Sequence, residues 1–387
     1  MSLTIDSSSL GPLAAVTLVE AKPPLQTIQA RARLDVIDSA RVFATLGVIW
    51  THVVEVQGQP PRVAALGRFG TSFYILAAVF FAYRRRTGSA PRPWRDELKM
   101  RFRRLLVPYL MWSLLYGALY YRYGRSIGET APKIMEWWGP LAGTARHLWF
   151  LPFAFLVGTL TSFVTPYFRR LETTVLATWV GLGIPFFYWL FQAQLFFALD
   201  RPWELGLHLH RLDRFIEEMP LVLSAIVAFP LLERLALGSQ GQGGQTPVVH
   251  PASEPSLIRR EYFAIFPFIA FVILDWQYFV WAEPLQPYTG GESRSFAHAL
   301  GCLLLAVCIL VRDVPVFRKL SRFGRHTYFV FLGHVIVLDT INGPLQMFPG
   351  FGTWQFSLLV TFGIFAFGTA LGPFFSRIPG LRLLYPR

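Results

Sequence analysis

Residues 34–55 read LDVIDSARVFATLGVIWTHVVE, and this stretch limits what the chain can fold into more than any other. From Val36 to Val54 it is apolar enough and long enough to cross a bilayer as a helix. Arg41 and His52 stand inside it, about three helical turns apart, which brings them back to within roughly 20° of one line and about 16 Å apart along the axis. Asp38, Thr45 and Glu55 fall close to the same line, while Val, Phe, Ala, Leu, Ile and Trp fill the flanks. An arginine inside a span costs about 2.5–3.5 kcal/mol on insertion scales and normally faces a protein interior or a wet cavity. Asp38 and Arg41, at i and i+3, can neutralise each other near an interface. That account leaves His52 without a role, whereas a functional polar face uses every member of the stripe.

Composition places the stretch in a membrane protein. Of the 387 residues 53% are hydrophobic and 15% charged, against about 25% charged in an average soluble chain. A net charge of +13 in a soluble domain would suggest nucleic acid. Here the excess of Lys and Arg in alternate loops is the better account, and no nucleic-acid partner is expected. Cys302 and Cys308 share an apolar run, which supports neither a disulfide framework nor a thiolate metal site. His208 and His210 form a pair without a third ligand at sensible spacing, so no metal site is expected. No basic n-region precedes the short apolar patch near the N-terminus, so the first span is expected to act as the insertion signal.

The expected fold is all-α: a polytopic integral membrane protein of about ten transmembrane helices. Residues 1–33 read as a flexible cytoplasmic lead, 34–376 as one transmembrane domain and 377–387 as a basic cytoplasmic tail. After the first span, apolar runs cover residues 66–83, 105–123, 147–165, 173–191, 219–236, 261–281, 296–311, 327–341 and 353–375. The Gly- and Gln-rich stretch GSQGQGGQTPVVHPASEPS reads as a linker between two of them. With both termini inside, the Arg-rich segment 84–104 and the basic segment 312–325 fall on the cytoplasmic face. Arg41 then lies toward that face and His52 toward the outer one.

Several motifs agree with a known family. Asp38-x-x-Arg41, ten residues and then His52 on a first span resembles the acyltransferase-3 family of membrane-bound O-acyltransferases. RFRRLLVPY resembles its arginine-rich approach to the third span, and HLWFLPFAFLVG its Leu-Trp-Phe-Leu span. FGRHTYFVFLGHVIVL is similar to a late span with Thr327, Tyr328 and His334. The likeness runs from residue 38 to residue 341. It implies transfer of an acyl group, acetyl first, from cytoplasmic acyl-CoA to a hydroxyl of an exported or lipid-linked carbohydrate, in the inner (plasma) membrane. Acyl-CoA is then a donor substrate, not a permanently bound cofactor. Carbohydrate or glycolipid is the acceptor, and membrane lipid the surrounding partner.

The residues permit this chemistry. A sugar hydroxyl is a poor nucleophile, and imidazole is the natural side chain to take its proton near neutral pH. His52 is the expected base, Glu55 one turn on can orient it, and Arg41 and Asp38 complete the catalytic stripe. Arg101, Arg103 and Arg104 abut the third span and suit the phosphates of CoA, although a basic loop also serves topology and anionic lipid. Trp149 either packs or stacks on a sugar, and His334 is either a buried structural histidine or a substrate contact. Asp275 is an intramembrane carboxylate to which the resemblance gives no role.

The rival class is a transporter or flippase of a polar or lipid-linked sugar, which would also place Arg, His and Asp in spans. Such folds often carry internal repeats, and none is evident between the two halves of this sequence. The topology is testable directly. Cysteine labelling at Gly88 and Gly290 should report opposite faces of the membrane; labelling of both from one side would overturn the span count.

Overall fold

A computed structural model describes residues 25–59, 63–64, 66–87, 93–123, 144–145, 147–190, 213–238, 269–270, 273, 292–310 and 314–378. Among them the chain is all helical, without a strand. Helix α1 runs Leu25–Val56 and α2 Phe69–Thr87. Helix α3, Trp94–Arg101, passes through the π-turn Phe102–Leu106 into α4, Val107–Tyr123. Helix α5 is Phe150–Phe168. Helix α6, Thr173–Thr178, continues through a second π-turn, Trp179–Gly183, into α7, Ile184–Tyr188. Then follow α8 Asp213–Gly238, α9 Glu292–Leu310, α10 Pro315–Gly324, α11 Thr327–Leu345 and α12 Trp354–Arg377.

Three of these helices, α5, α11 and α12, are long and apolar enough to cross a membrane. Two shorter apolar helical stretches, Thr173–Tyr188 and Phe296–Cys308, accompany them. The expected count of about ten is therefore not carried by helix length and composition alone, since α1 and α2 include charged turns and residues 261–281 fall largely outside the described residues. Large apolar side chains on outward faces, such as Leu114, Phe163, Leu182, Leu359 and Phe362, suit a lipid surround better than water.

Two boundaries differ from the sequence expectation. Helix α1 begins at Leu25, well before residue 34, because QTIQARAR is made of residues that tolerate or favour helix. The Arg-rich segment 84–104 is helical from Trp94 onward, with Asp96 and Glu97 in the first turn where they complement the helix dipole. The lead 1–24, the Gly/Gln linker, His208, His210, Asp275 and the tail from 379 lie outside the described residues.

Helix α1 is the hub: it packs against α2, α9, α10, α11 and α12. Helix α2 in turn meets α5, α8 and α9. Without a hydrophobic effect between helices in lipid, close approach must come from small residues. Gly70 supplies it at the α1–α2 crossing, where an added methyl would strike the Ala44 carbonyl oxygen and crowd Val48. Gly324, at the end of α10, likewise rests against the backbone of Asp38. Ser39 Oγ donates to the Phe317 carbonyl, and Phe43 packs on Phe317 at 5.9 Å between ring centroids, so α10 is bonded and packed along the Arg41 end of α1. Gly70→Ala should cost about 1–3 kcal/mol by forcing α1 and α2 apart, read as a lowered unfolding midpoint in detergent. A midpoint equal to wild type would show that the crossing is not tight.

Candidate active site

Helix α1 delivers its polar stripe into two separate chambers. At the Arg41 end lies an open cavity of about 880 Å³. Among the described residues six arginines line it, namely Arg41, Arg85, Arg101, Arg104, Arg325 and Arg377, with Asp38 as the one carboxylate there. Arg41 Nη1 donates to Asp38 Oδ1 at 2.8 Å, and both side chains remain about a third exposed to the cavity (36% and 27%). Thr45 Oγ1 donates to the Arg41 carbonyl at 2.8 Å, and the Tyr74 hydroxyl reaches the same oxygen at 3.2 Å, which fixes the backbone that carries the guanidinium. The guanidinium also sits 5.8 Å from the Phe81 ring centroid, within range of a cation–π contact.

Arg101 is buried in the wall of this cavity. Its Nη2 bonds Glu97 Oε1 and Ser162 Oγ, the latter at 2.7 Å, and its guanidinium passes over Gly158 of α5, where a Cβ would collide with it. Its Nε–H is buried and finds no partner among the described residues. Arg104 also lines the cavity, and its carbonyl accepts from the Tyr328 hydroxyl at 3.1 Å. Arg103 does not: it is exposed and absent from the lining. Positions i, i+3 and i+4 of a helix share a face, which puts Arg101, Arg104 and Leu105 on the cavity side and leaves Arg103 outside. At the mouth, Arg325 Nε donates to His326 Nε2 at 3.1 Å. Burial, with the Arg325 guanidinium beside it, holds His326 below the usual imidazole range.

The His52 end opens on a much smaller pocket of about 70 Å³. His52 Nδ1 lies 3.4 Å from Glu55 Oε2, and Arg68 Nη2 lies 4.0 Å from Glu55 Oε1. The carboxylate therefore favours a proton on Nδ1 and leaves the Nε2 lone pair for a substrate. His147 lines this pocket, and His334 packs against His52 and His147 beside it. His147 Nε2 donates to the Leu332 carbonyl at 3.0 Å, and His334 Nδ1 to the Phe331 carbonyl at 2.7 Å. The ring centroids stand 5.2 Å (His52–His334), 6.3 Å (His52–His147) and 4.9 Å (His147–His334) apart. His147 Nδ1 and His334 Nε2 are both buried and have no partner among the described residues. No group of three or more His, Cys, Asp or Glu among the described residues has the geometry to hold a metal ion.

Trp149 borders the pocket but spends its face on Phe153 and Phe215, with centroids at 5.6 and 5.9 Å, so packing is its main contact. A second buried network reaches the same pocket through Glu218, whose Oε2 accepts from His298 Nε2 at 2.8 Å while the Tyr188 hydroxyl bonds His298 Nδ1 at 2.8 Å. Sequence reasoning missed His147, Glu218 and His298. Each stands inside or beside an apolar run, and ionisable residues there are functional candidates by default.

The stripe on α1 is thus brought together with Arg101, Arg104 and His334, the first two at its Arg41 end and the last at its His52 end. Arg103 stays apart. No curated protein and no solved structure matches the chain. The family described as "Acyltransferase domain", the acyltransferase-3 family, matches residues 34–373, nearly the whole length. A helix that leads from an arginine-lined cavity to a histidine pocket, within a chain matched along that range, makes this protein a member of the acyltransferase-3 family of membrane acyltransferases.

Proposed function

We propose that the protein transfers an acyl group, acetyl first, from cytoplasmic acyl-CoA to a hydroxyl of an exported or lipid-linked carbohydrate, with His52 as the general base. The observation that carries this reading is the division of α1 between a large cationic cavity and a small histidine pocket. A CoA carries several phosphate charges, and arginine binds phosphate bidentately. Arg41, Arg101 and Arg104, which line the cationic cavity, are the assigned phosphate contacts.

In the pocket, His52 Nε2 takes the proton of the acceptor hydroxyl as its oxygen attacks the thioester carbonyl carbon. The carbon–sulfur bond then breaks, and the proton passes from His52 to the leaving thiolate, so one imidazole serves both halves of the exchange. Glu55 orients the ring and steadies the imidazolium between the two steps. The buried nitrogens His147 Nδ1 and His334 Nε2 have no partner among the described residues, and a buried acceptor without a partner costs about 1–3 kcal/mol. A polyol with neighbouring hydroxyls satisfies them, which favours a carbohydrate over a simple alcohol. The transporter reading accounts for the cationic cavity but gives no use to a base oriented by a carboxylate.

His52→Ala should lower transfer by about 10²- to 10⁴-fold at matched abundance, with the dissociation constant for CoA unchanged. Transfer at the wild-type rate would remove the histidine from the mechanism. Arg41→Ala should act at the other end. Because the Arg41–Asp38 pair is partly exposed, its loss should leave folding nearly intact. CoA binding should weaken about tenfold or more, the loss of one charge-assisted hydrogen-bond set. Arg41→Lys should recover part of that affinity, since an ammonium keeps the charge but not the planar fork. Equal CoA affinity in all three proteins would place the donor elsewhere.

A further inference from the structure

The two chambers share a wall. Phe150, the first residue of α5, lines both the arginine cavity and the histidine pocket. Tyr74 of α2 lines the first and Phe331 of α11 the second. The three rings pack mutually, with centroids 5.9 Å (Tyr74–Phe150), 5.5 Å (Tyr74–Phe331) and 5.6 Å (Phe150–Phe331) apart. Phe150 and Phe331 are buried, at 7% and 4% exposure. Tyr74 is held on α1 through Thr45, hydroxyl to hydroxyl at 2.6 Å, on the turn between Arg41 and His52. On the far side Phe331 meets His147 at 5.7 Å and His334 at 6.2 Å.

We infer that Tyr74, Phe150 and Phe331 form an aromatic septum that the acyl group must cross and that sets which acyl groups can be transferred. The inference rests on the donor assignment made above. Reaction requires the thioester carbon and the acceptor oxygen to come within about 3–3.5 Å of each other. The donor's bulk belongs in the cavity of about 880 Å³ and the base in the pocket of about 70 Å³. Only the thin pantetheine end and the acyl group can pass between the rings, and the small pocket beyond admits a short chain. With the rings closed, water in the histidine pocket is kept from the thioester, so the donor is not hydrolysed while it waits for an acceptor. Uncoupled hydrolysis would need only water as nucleophile: its oxygen attacks the carbonyl carbon, the carbon–sulfur bond breaks, and carboxylate and thiol leave.

The test uses the purified full-length protein in detergent, with acetyl-, butyryl- and octanoyl-CoA and no acceptor. The readouts are thiol release and CoA binding. Wild-type protein should bind CoA and release thiol slowly from all three donors. Phe150→Ala and Phe331→Ala, at unchanged CoA affinity, should raise acetyl-CoA hydrolysis by about tenfold or more and should turn over octanoyl-CoA. Adding His52→Ala to either should abolish the gain, since the water is activated at the same imidazole. Phe150→Leu, which leaves less space than alanine, should fall between and guards against a misfolded alanine variant. Variants that bind CoA normally yet keep the wild-type hydrolysis rate and chain-length profile would overturn the septum alone. Wild-type protein that fails to bind CoA would overturn the donor assignment and the septum with it.

Discussion

Everything in this structure depends on finding partners for the polar groups of α1 in a setting where water supplies few. Asp38 and Arg41 bond each other, and Thr45 bonds the Arg41 carbonyl and Tyr74. Thr51 Oγ1 donates to the carbonyls of Gly47 and Ala64 at 3.1 and 3.2 Å, and His52 faces Glu55. Each partner comes from α1 itself or from the chain directly packed on it. The neighbours must therefore come close, and small residues allow it. Gly47 and Gly67 approach so nearly that a side chain on either would meet the other's carbonyl oxygen. Packing and polarity are one constraint here: loosening the α1–α2 contact would also strip the stripe of its hydrogen bonds.

Charge is distributed by the same logic. Among the described residues six arginines line one cavity, where Asp38 pairs with Arg41 and Glu97 with Arg101. Such a cluster is tolerable because the cavity is open and wet, and it becomes favourable when an anion enters. The histidine pocket is the reverse case. It is small and closed in, with two imidazoles whose tautomers are set by backbone carbonyls and whose remaining nitrogens are bare. In the proposed reaction the cationic chamber would take the polyanionic donor and the histidine pocket the acceptor hydroxyl. Three aromatic rings, Tyr74, Phe150 and Phe331, pack between the two chambers.

Much of this was legible in the sequence. The helical period alone put Asp38, Arg41, Thr45, His52 and Glu55 on one stripe, and the i,i+3 spacing gave both the Asp38–Arg41 and His52–Glu55 pairs. What periodicity could not show was that the stripe serves two chambers, because the wall between them is built by α2, α5 and α11. Arg103 was grouped with its neighbours because all three abut the third span, and helical spacing turns it away from the face that Arg101 and Arg104 share. His147 was hidden by its place beside Trp149 and Phe150, where an aromatic cluster reads as an interface anchor. Glu218 and His298 were hidden by distance, since only the tertiary fold brings them together.

The histidine geometry also separates two uses that an imidazole cluster can have. A relay would need each ring to hand a proton to the next, and so would need ring nitrogens aimed at each other. Here His147 and His334 each commit one N–H to a backbone carbonyl, at 3.0 and 2.7 Å, and neither bonds His52. The proposed reaction would not call for a relay either, since the proton taken from the hydroxyl would return to the leaving thiolate. Fixed tautomers with one open lone pair are suited to holding hydroxyl hydrogens in place. In the proposed reaction His52 alone would then move the proton, and His147 and His334 would act as positioning residues beside it.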